Sequence, residues 1–396
     1  MAADDLDVVL TVLPGALPAL RRELVRSGLT TSPEGGGAPE ADDGAPGDGP
    51  NDADADELRL TLPRTAETLR TLARLRAAVS ASLAVATDTG RPTGLLSSES
   101  LGEVDRVLEA ISWQRPRVTF SGLRLEAAGA ETPQMLRIAA ELAERAGVPV
   151  SEDGDLVVRV RRAPGAGWEA LVRTTPRPLA TRPWRTERYP GALNATLAAV
   201  VVDEVEHVRW QLGGSDGGVD GDEGDAPVVV DLMCGSGTLT LERLARGRVA
   251  RAVAVDVAPE AIAILERHQR ASRIKGRIEA VVADVADVAR TGGVLADLAG
   301  TADVVVANPP WGELLGEHAT NELLSRDLLD AADRIGADDV VVGVLTHDIR
   351  RFERVLDHDA RWRLVARPQL FAKGHRPRLF VLVRAERGSP SDGSAT

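Results

Sequence analysis

The sequence predicts an α/β protein whose second half is a doubly wound parallel sheet with helices on both faces, preceded by a separate α+β region. Three observations carry this prediction. At 396 residues the chain is too long for one small core, so about two domains are expected. From Val228 onward, short apolar strand patterns alternate with amphipathic helix patterns. After the last helix come two strands separated only by "AKGH", the spacing of an antiparallel hairpin.

In the first half, "LDVVLTVLPGALPALRRELVRSG" reads as strand then helix, and "TAETLRTLARLRAAVSASLAVAT" as helix then strand. "RVTFSGLRLEA", the helix "TPQMLRIAAELAERAG", "LVVRVRRA" and "WEALVRTT" complete one or two α+β layers. No catalytic pattern lies among them, and a recognition module is expected. Residues 192–212, "ALNATLAAVVVDEVEHVRWQL", read as an amphipathic helix opening the second domain, with the acidic residues 213–227 as a loop inside that domain. Beyond it, "PVVVDLM", "RAVAVDV", "IEAVVADV", "ADVVVAN" and "DDVVVGVLT" are strands. "GTLTLERLAR", "APEAIAILERHQRAS", "NELLSRDLLDAADRI" and "DIRRFERVLD" are helices, and "WRLVARPQLF" and "RPRLFVLVRA" form the hairpin.

The net charge of -13 argues in bulk against a polyanionic partner, but the acid is unevenly spread. Much of it lies in residues 40–57 and 213–227, Gly/Asp/Pro-rich stretches that read as disordered, as does the tail 388–396. Leu171 to Tyr189, "LVRTTPRPLATRPWRTERY", instead has five Arg and one Glu. Local charge is therefore the better guide to partners. Cys234 is the only cysteine, which excludes an internal disulfide and paired-cysteine zinc sites, and the six His lack metal-ligand spacing, so no metal is expected. No apolar run approaches the ~20 residues of a membrane span, and the acidic start "MAADDLDVVLTV" is unlike an export signal. A cytoplasmic protein, with a monomer favoured, is expected.

The chemistry is carried by strand tips. "DLMCGSGT", Asp231 to Thr238, joins the first strand of the second half to a helix. Gly235 and Gly237 let the backbone turn tightly and approach a ligand. The next strand ends about 20 residues later in Asp256, placed to accept both hydroxyls of a ribose. Asp284 closes the third strand, where it can meet an adenine amino group. No G-K-[ST] follows the glycines, which argues against a triphosphate, whereas these three acids alone leave a dinucleotide open. The fourth strand decides. It ends in Asn308-Pro309-Pro310-Trp311-Gly312, where prolines with nearly fixed φ hold an amide. The Asn308 side-chain oxygen and the Pro309 carbonyl can both accept hydrogen bonds from one amino group, gripping it more strongly as it attacks an electrophile. Trp311 offers a flat face for the ring bearing that amine, typically worth about 1 to 3 kcal/mol for a base. Together these features read as an amine methylated by S-adenosylmethionine. Cys234, inside the glycine turn, reads as a small buried filler.

With "DLMCGSGT", "AVDVAPEA", "VADVAD" and "ANPPWGELLG" in this order, the second half resembles the class I S-adenosylmethionine-dependent methyltransferases, whose reversed seventh strand accounts for the final hairpin. "NPPWG" is similar to their amino-methyltransferase signature N/D-P-P-Y/F/W. "ALNATLAA" and "NPPWGELLGEH...NELLSRDLLDAA" resemble the branch with a THUMP RNA-binding domain, which methylates N2 of guanosine in tRNA or ribosomal RNA. "LTVLPGALPALRRELVRSG" looks like that branch's ferredoxin-like opening, and "TPQMLRIAAELAERAG" to "WEALVRTTPRPLATRPWR" like the THUMP core and its exit.

The resemblance implies a ferredoxin-like and THUMP RNA-binding region over residues 1–182 and a Rossmann-like, seven-stranded methyltransferase domain over residues 183–387. It implies S-adenosylmethionine contacts from Gly235, Gly237, Asp256, Asp284 and Asn308, with Asp231 ordering the glycine turn. Asn308 and Pro309 would grip the guanine amine and Trp311 stack the base. Arg173, Arg177, Arg182, Arg185 and Arg188 are candidates for the phosphate path of a tRNA or ribosomal RNA. Adenine N6 in DNA or RNA and a protein glutamine amide are other acceptors that the N-P-P-aromatic signature admits. A non-enzymatic RNA-binding protein on the same fold is argued against by the intact Gly235, Gly237, Asp256 and Asn308.

Overall fold

Alternating charge along a strand is a weak signal when its partners lie a hundred residues away, and the first half of the chain is organised by such partners. The computed structural model describes residues 5–29, 56–114, 118–214, 226–310, 318–371 and 374–385. Most of the acidic stretches, residues 40–55 and 215–225, and the tail 388–396 lie outside the described residues. The chain divides into two compact units, Met1–Thr181 and Arg182–Thr396.

The first unit contains β1 (Asp5–Val12), α1 (Leu17–Arg26), β2 (Asp56–Pro63), α2 (Ala66–Leu72), β3 (Ala78–Thr87) and α3 (Ser98–Ser112). β4 (Leu123–Ala127), α4 (Pro133–Ala146), β5 (Leu156–Arg162) and β6 (Trp168–Arg173) follow. The strands make one six-stranded sheet in the order β2-β1-β3-β6-β5-β4, antiparallel except for the β4–β5 pair. The α+β layers expected from sequence therefore share one continuous sheet.

Two of these elements escape the sequence reading. β2, "DELRLTLP", pairs along its whole length with β1 and begins inside the stretch expected to be disordered. Glu57 is the correction: its carboxylate accepts two hydrogen bonds from Arg161, at 2.7 and 2.6 Å. Arg161 and Arg59 also hold the buried Glu169, so an acidic residue that looks solvated in sequence closes a cross-strand network. α3 is capped by the Ser97 side chain, which accepts from the Ser100 N–H at 3.2 Å, and buries Leu101, Val104, Val107 and Ile111 at helical spacing.

The second unit contains α5 (Ala195–Gln211), β7 (Val228–Leu232), α6 (Thr238–Arg246), β8 (Arg251–Asp256), α7 (Pro259–Ala271), β9 (Ile278–Val282) and α8 (Val285–Thr291). β10 (Ala302–Ala307), α9 (His318–Ile335), β11 (Gly336–Thr346), α10 (Ile349–Asp357), β12 (Trp362–Ala366) and β13 (Arg378–Arg384) complete it. The sheet order is β12-β13-β11-β10-β7-β8-β9. The inner pairs are parallel, whereas β13 runs antiparallel to both β11 and β12, as the final hairpin implies. On one face, Val230, Val253, Val305 and Val342 pack with residues of α8, α9 and α10; on the other, Ala252, Ala254 and Ile278 pack with α6 and α7. Burial on both faces explains why the strands read as unbroken apolar runs. Strand order reverses between β7 and β10, which opens a crevice at their carboxyl ends.

α5 differs from expectation. Instead of one wet and one dry face, it buries Val200, Val201, Val202 and Val205 together with Asp203, Glu206 and Arg209. Its charges are consumed internally: Glu206 accepts from Arg209 at 3.1 Å and from Arg243 of α6 at 2.6 Å, and Asp203 faces Arg246 at 3.7 Å. Gly343 of β11 makes this close packing possible, since a Cβ there would lie 2.3 Å from Val205 Cγ2.

Candidate active site

The turn after β7 is held by its backbone. Met233 adopts φ 61°, unusual for a residue with a side chain, and Gly235 and Gly237 follow at φ 53° and 78°. The Cys234 N–H donates to Val255 O at 2.8 Å, fixing the turn to the end of β8. Asp256 completes the grip. Its Oδ2 accepts the Gly235 N–H at 2.7 Å and its Oδ1 accepts the Ala258 N–H at 3.0 Å, so one carboxylate orders both the glycine turn and the entry to α7. Each oxygen keeps further acceptor capacity for a ligand hydroxyl.

Asp231 is fully buried below the turn. Its Oδ2 accepts from the Thr240 backbone N–H at 3.2 Å and hydroxyl at 2.6 Å, tying the end of β7 to the first turn of α6. Burial raises the Asp231 carboxyl to a pKa of about 7 against the lowering effect of those bonds. Asp284 caps α8, its Oδ1 accepting the Ala286 N–H at 2.9 Å. Asn308 follows the last residue of β10, and its Oδ1 is buried with no hydrogen-bond partner among the described residues.

These tips surround one cavity of about 960 Å³. Gly235, Asp256, Asp284, Asn308 and Pro309 line it, while Gly237 and Asp231 stand behind the wall and shape it. The walls suit S-adenosylmethionine. None of the described lining residues is Arg, Lys or His, and two are carboxylates, a setting that repels a phosphate chain and favours a nucleoside bearing sulfonium and ammonium charges. Gly235 leaves room in the cradle, where a Cβ would meet only the Tyr189 ring, at 3.6 Å. The buried Asn308 oxygen waits for a donor.

Residues 220–378 match the UPF0020 family model, described as an RMKL-like methyltransferase domain. This chain is an S-adenosylmethionine-dependent methyltransferase. No curated protein matches it. Among solved structures it is similar to TrmN from Thermus thermophilus, at 22% identity over 96% of this chain and 100% of that one, with a TM-score of 0.58. SMU.472 complexed with SAH is similar at 14% identity, over 98% of this chain and 100% of that one, with a TM-score of 0.57. A structure titled "predicted N6-adenine-specific DNA methylase" from Listeria monocytogenes str. 4b F2365 is similar at 14% identity, over 95% and 96% of the two chains, with a TM-score of 0.56. These likenesses are of fold, and they span both units.

The methyltransferase domain also uses residues that sequence reasoning passed over. Tyr189, the only tyrosine in the chain, lines the cavity over Gly235. Its segment is pinned at three points: Arg185 donates to Leu193 O at 2.7 Å, Arg267 pairs with Glu187, and the Glu187 N–H donates to His268 Nε2 at 3.3 Å. The other His268 nitrogen meets Ser236 O at 3.2 Å, so the buried imidazole joins the glycine turn to the Tyr189 segment. Burial holds His268 below the ordinary His range, which keeps it neutral in this role. A lone tyrosine in a chain with 3% aromatic residues was the available signal. Cys234 lines the cavity as a thiol, since burial holds its pKa well above the ordinary value.

The arginines expected along a phosphate path separate. Arg173 and Arg177 lie in the first unit and Arg182, Arg185 and Arg188 in the methyltransferase unit. Three of them are corrected to internal roles. Arg173 donates to the carbonyls of Thr175, Pro176 and Asp155. Arg182 is buried against Glu242 at 2.8 Å. Arg185 is held between Leu193 O and Thr238 Oγ1. Arg177 and Arg188 are exposed. Trp311 lies outside the described residues.

The two glycines of the turn are expected to respond differently to alanine. At Gly237 a Cβ would lie 2.6 Å from Leu265 Cγ, in a left-handed backbone. Gly237→Ala should therefore destabilise the domain by roughly 2 to 4 kcal/mol, read as a lower midpoint in thermal unfolding. Gly235, at φ 53°, is also left-handed, which costs Gly235→Ala about 1 to 2 kcal/mol, but its Cβ meets no atom closer than 3.6 Å, so this variant should lose less stability and mainly weaken cofactor binding, read by calorimetry. The same loss of stability for both would contradict this division.

Proposed function

We propose that this methyltransferase modifies the exocyclic N2 amine of a guanosine in tRNA. The observation that carries the reading is the buried Oδ1 of Asn308, unpartnered among the described residues, on the wall of the cavity that Asp256 and Asp284 also line. An acceptor stripped of water and left without a donor costs about 1 to 3 kcal/mol, so the site is arranged for an incoming N–H. S-adenosylmethionine, when bound, supplies a methyl group on a sulfonium. The chain's own groups do the rest. Asp256 would receive the ribose hydroxyls while continuing to hold the glycine turn, and Asp284 would accept from the adenine amine. Gly235, with no side chain, would leave room for the methionine part.

Asn308 Oδ1 and the Pro309 carbonyl accept the two N–H groups of the acceptor amine, whose lone pair is withdrawn into its ring and nucleophilic only weakly. As the nitrogen bonds to the methyl carbon and the bond from that carbon to sulfur breaks, its electron pair leaving on sulfur, the nitrogen becomes positive and its N–H groups more acidic. The two oxygens therefore bind the transition state better than the ground state. The surplus proton, held on nitrogen against Asn308 Oδ1, passes to water, because an amide oxygen is too weak a base to keep it. Trp311 would stack the guanine. Residues 1–182 would serve as the THUMP-containing RNA-recognition region, a role that rests on the resemblance of "TPQMLRIAAELAERAG" to "WEALVRTTPRPLATRPWR" to the THUMP core and its exit.

Adenine N6 is the second reading, supported by the same Asn-Pro-Pro tip and by the likeness to the Listeria protein described as a predicted N6-adenine-specific DNA methylase. Purified protein with radiolabelled S-adenosylmethionine separates the acceptor classes. Transfer to tRNA, with little to ribosomal RNA or duplex DNA, is the expected result; transfer to DNA alone would reverse the choice.

A further inference from the structure

The carboxyl edge of the second unit's sheet is electrically polarised. At the β8–β9 end stand Asp256, Glu260 and Asp284; in the middle, the described residues of the glycine turn, 233–237, and Asn308 carry no charge. At the β11–β13–β12 end the sign reverses. β13 is antiparallel to β11, with Arg378 opposite Thr346, so the chain entering β13 lies on this edge, as does the chain leaving β12. That places Arg367, Arg376 and Arg378 there, joined by Arg350 and Arg351 from the start of α10, which follows β11. In residues 347–378, nine Lys or Arg face four Asp or Glu, within a chain of net charge -13.

Pairing leaves this face positive. Asp348 is taken by Arg351, and Glu353 is shared by Arg378 at 3.3 Å and Arg367 at 3.8 Å. Arg350 and Arg376 are exposed, with no acidic partner among the described residues. Two exposed, unneutralised guanidinium groups on the edge that also carries the reactive tip are poor for stability and suited to phosphate.

We propose that the α10–β12–β13 face, through Arg350 and Arg376, binds the phosphates flanking the target nucleotide of an RNA, an inference that rests on the RNA acceptor reading above. The polarity explains why one edge serves two ligands of opposite charge. The acidic end favours a cationic cofactor and repels a polyanion; the basic end attracts the polyanion, and Asn308 lies at the boundary where the two must meet. The phosphates thereby set which way the strand crosses the site, with its sugar-phosphate chain toward β12 and its reactive base toward β10.

The test uses the full chain and a tRNA transcript, with affinity measured by fluorescence anisotropy over a range of salt. The double variant Arg350→Ala/Arg376→Ala is expected to bind about tenfold more weakly, with the slope of log affinity against log salt shallower by about 1.5, as two lost phosphate contacts require. S-adenosylmethionine affinity should stay within about twofold, and a control pair, Lys275→Ala/Arg277→Ala, on exposed residues just before β9 at the opposite edge, should change tRNA affinity less than about twofold. Equal loss in both pairs, or none in Arg350→Ala/Arg376→Ala, overturns the inference while tRNA binding by the unmodified protein leaves the acceptor reading standing. Tighter binding of duplex DNA than of tRNA, with the same dependence on the two arginines, also overturns it. Unmodified protein that binds no tRNA overturns the acceptor reading itself.

Discussion

Asn308→Ala should lower the rate of methyl transfer by roughly 100- to 1,000-fold while changing S-adenosylmethionine affinity by less than about threefold. The size follows from where the interaction strengthens. The Asn308 oxygen is buried and unpartnered among the described residues, so none of their donors competes with the amine that it accepts. Its hydrogen bond is strongest when the nitrogen is becoming positive, and its removal therefore appears in kcat rather than in cofactor binding. Asn308→Asp is the informative companion, because it keeps the acceptor but adds a negative charge within the same cavity as Asp256 and Asp284. Single-turnover rates beside calorimetric affinities separate the two effects, and an equal loss of cofactor binding in Asn308→Ala would remove the assigned role.

Asp256→Ala is expected to weaken S-adenosylmethionine binding at least about tenfold, since the carboxylate would lose its own hydrogen bonds to the ligand and release the turn beneath it. The second part is visible in the structure: Gly235 and Ala258 donate to the two carboxylate oxygens, at 2.7 and 3.0 Å. Asp256→Asn preserves one acceptor for those N–H groups and should fall between the two in calorimetry. Unchanged affinity in Asp256→Ala would contradict the placement of the ribose.

The strand tips were readable because parallel strands buried on both faces form apolar runs, and the first non-apolar residue after each run marks its carboxyl end. Asp256, Asp284 and Asn308 all sit at such ends, and the fold brings them to one cavity. Side-chain direction was not readable. "LVRTTPRPLATRPWRTERY" announces a basic segment, yet Arg182 turns to Glu242 and Arg185 to Thr238, partners more than fifty residues on that local sequence does not reveal. The same blindness made Glu57 look solvated, although its partner Arg161 is a hundred residues away, and made α5 look amphipathic, although its charges meet α6. Tyr189 was missed for a different reason. A single aromatic residue in a Pro/Gly-rich connection has no periodicity to mark it, and it is the His268, Arg267 and Arg185 tethers that show its segment to be built into the wall.

The central claim, a guanine amine in tRNA as acceptor, is tested most directly by mass spectrometry of nucleosides from tRNA of cells with and without the gene. N2-methylguanosine present in the first and missing at one tRNA position in the second is the predicted result. An unchanged N2-methylguanosine content, with loss of N6-methyladenosine from any nucleic acid instead, would contradict it.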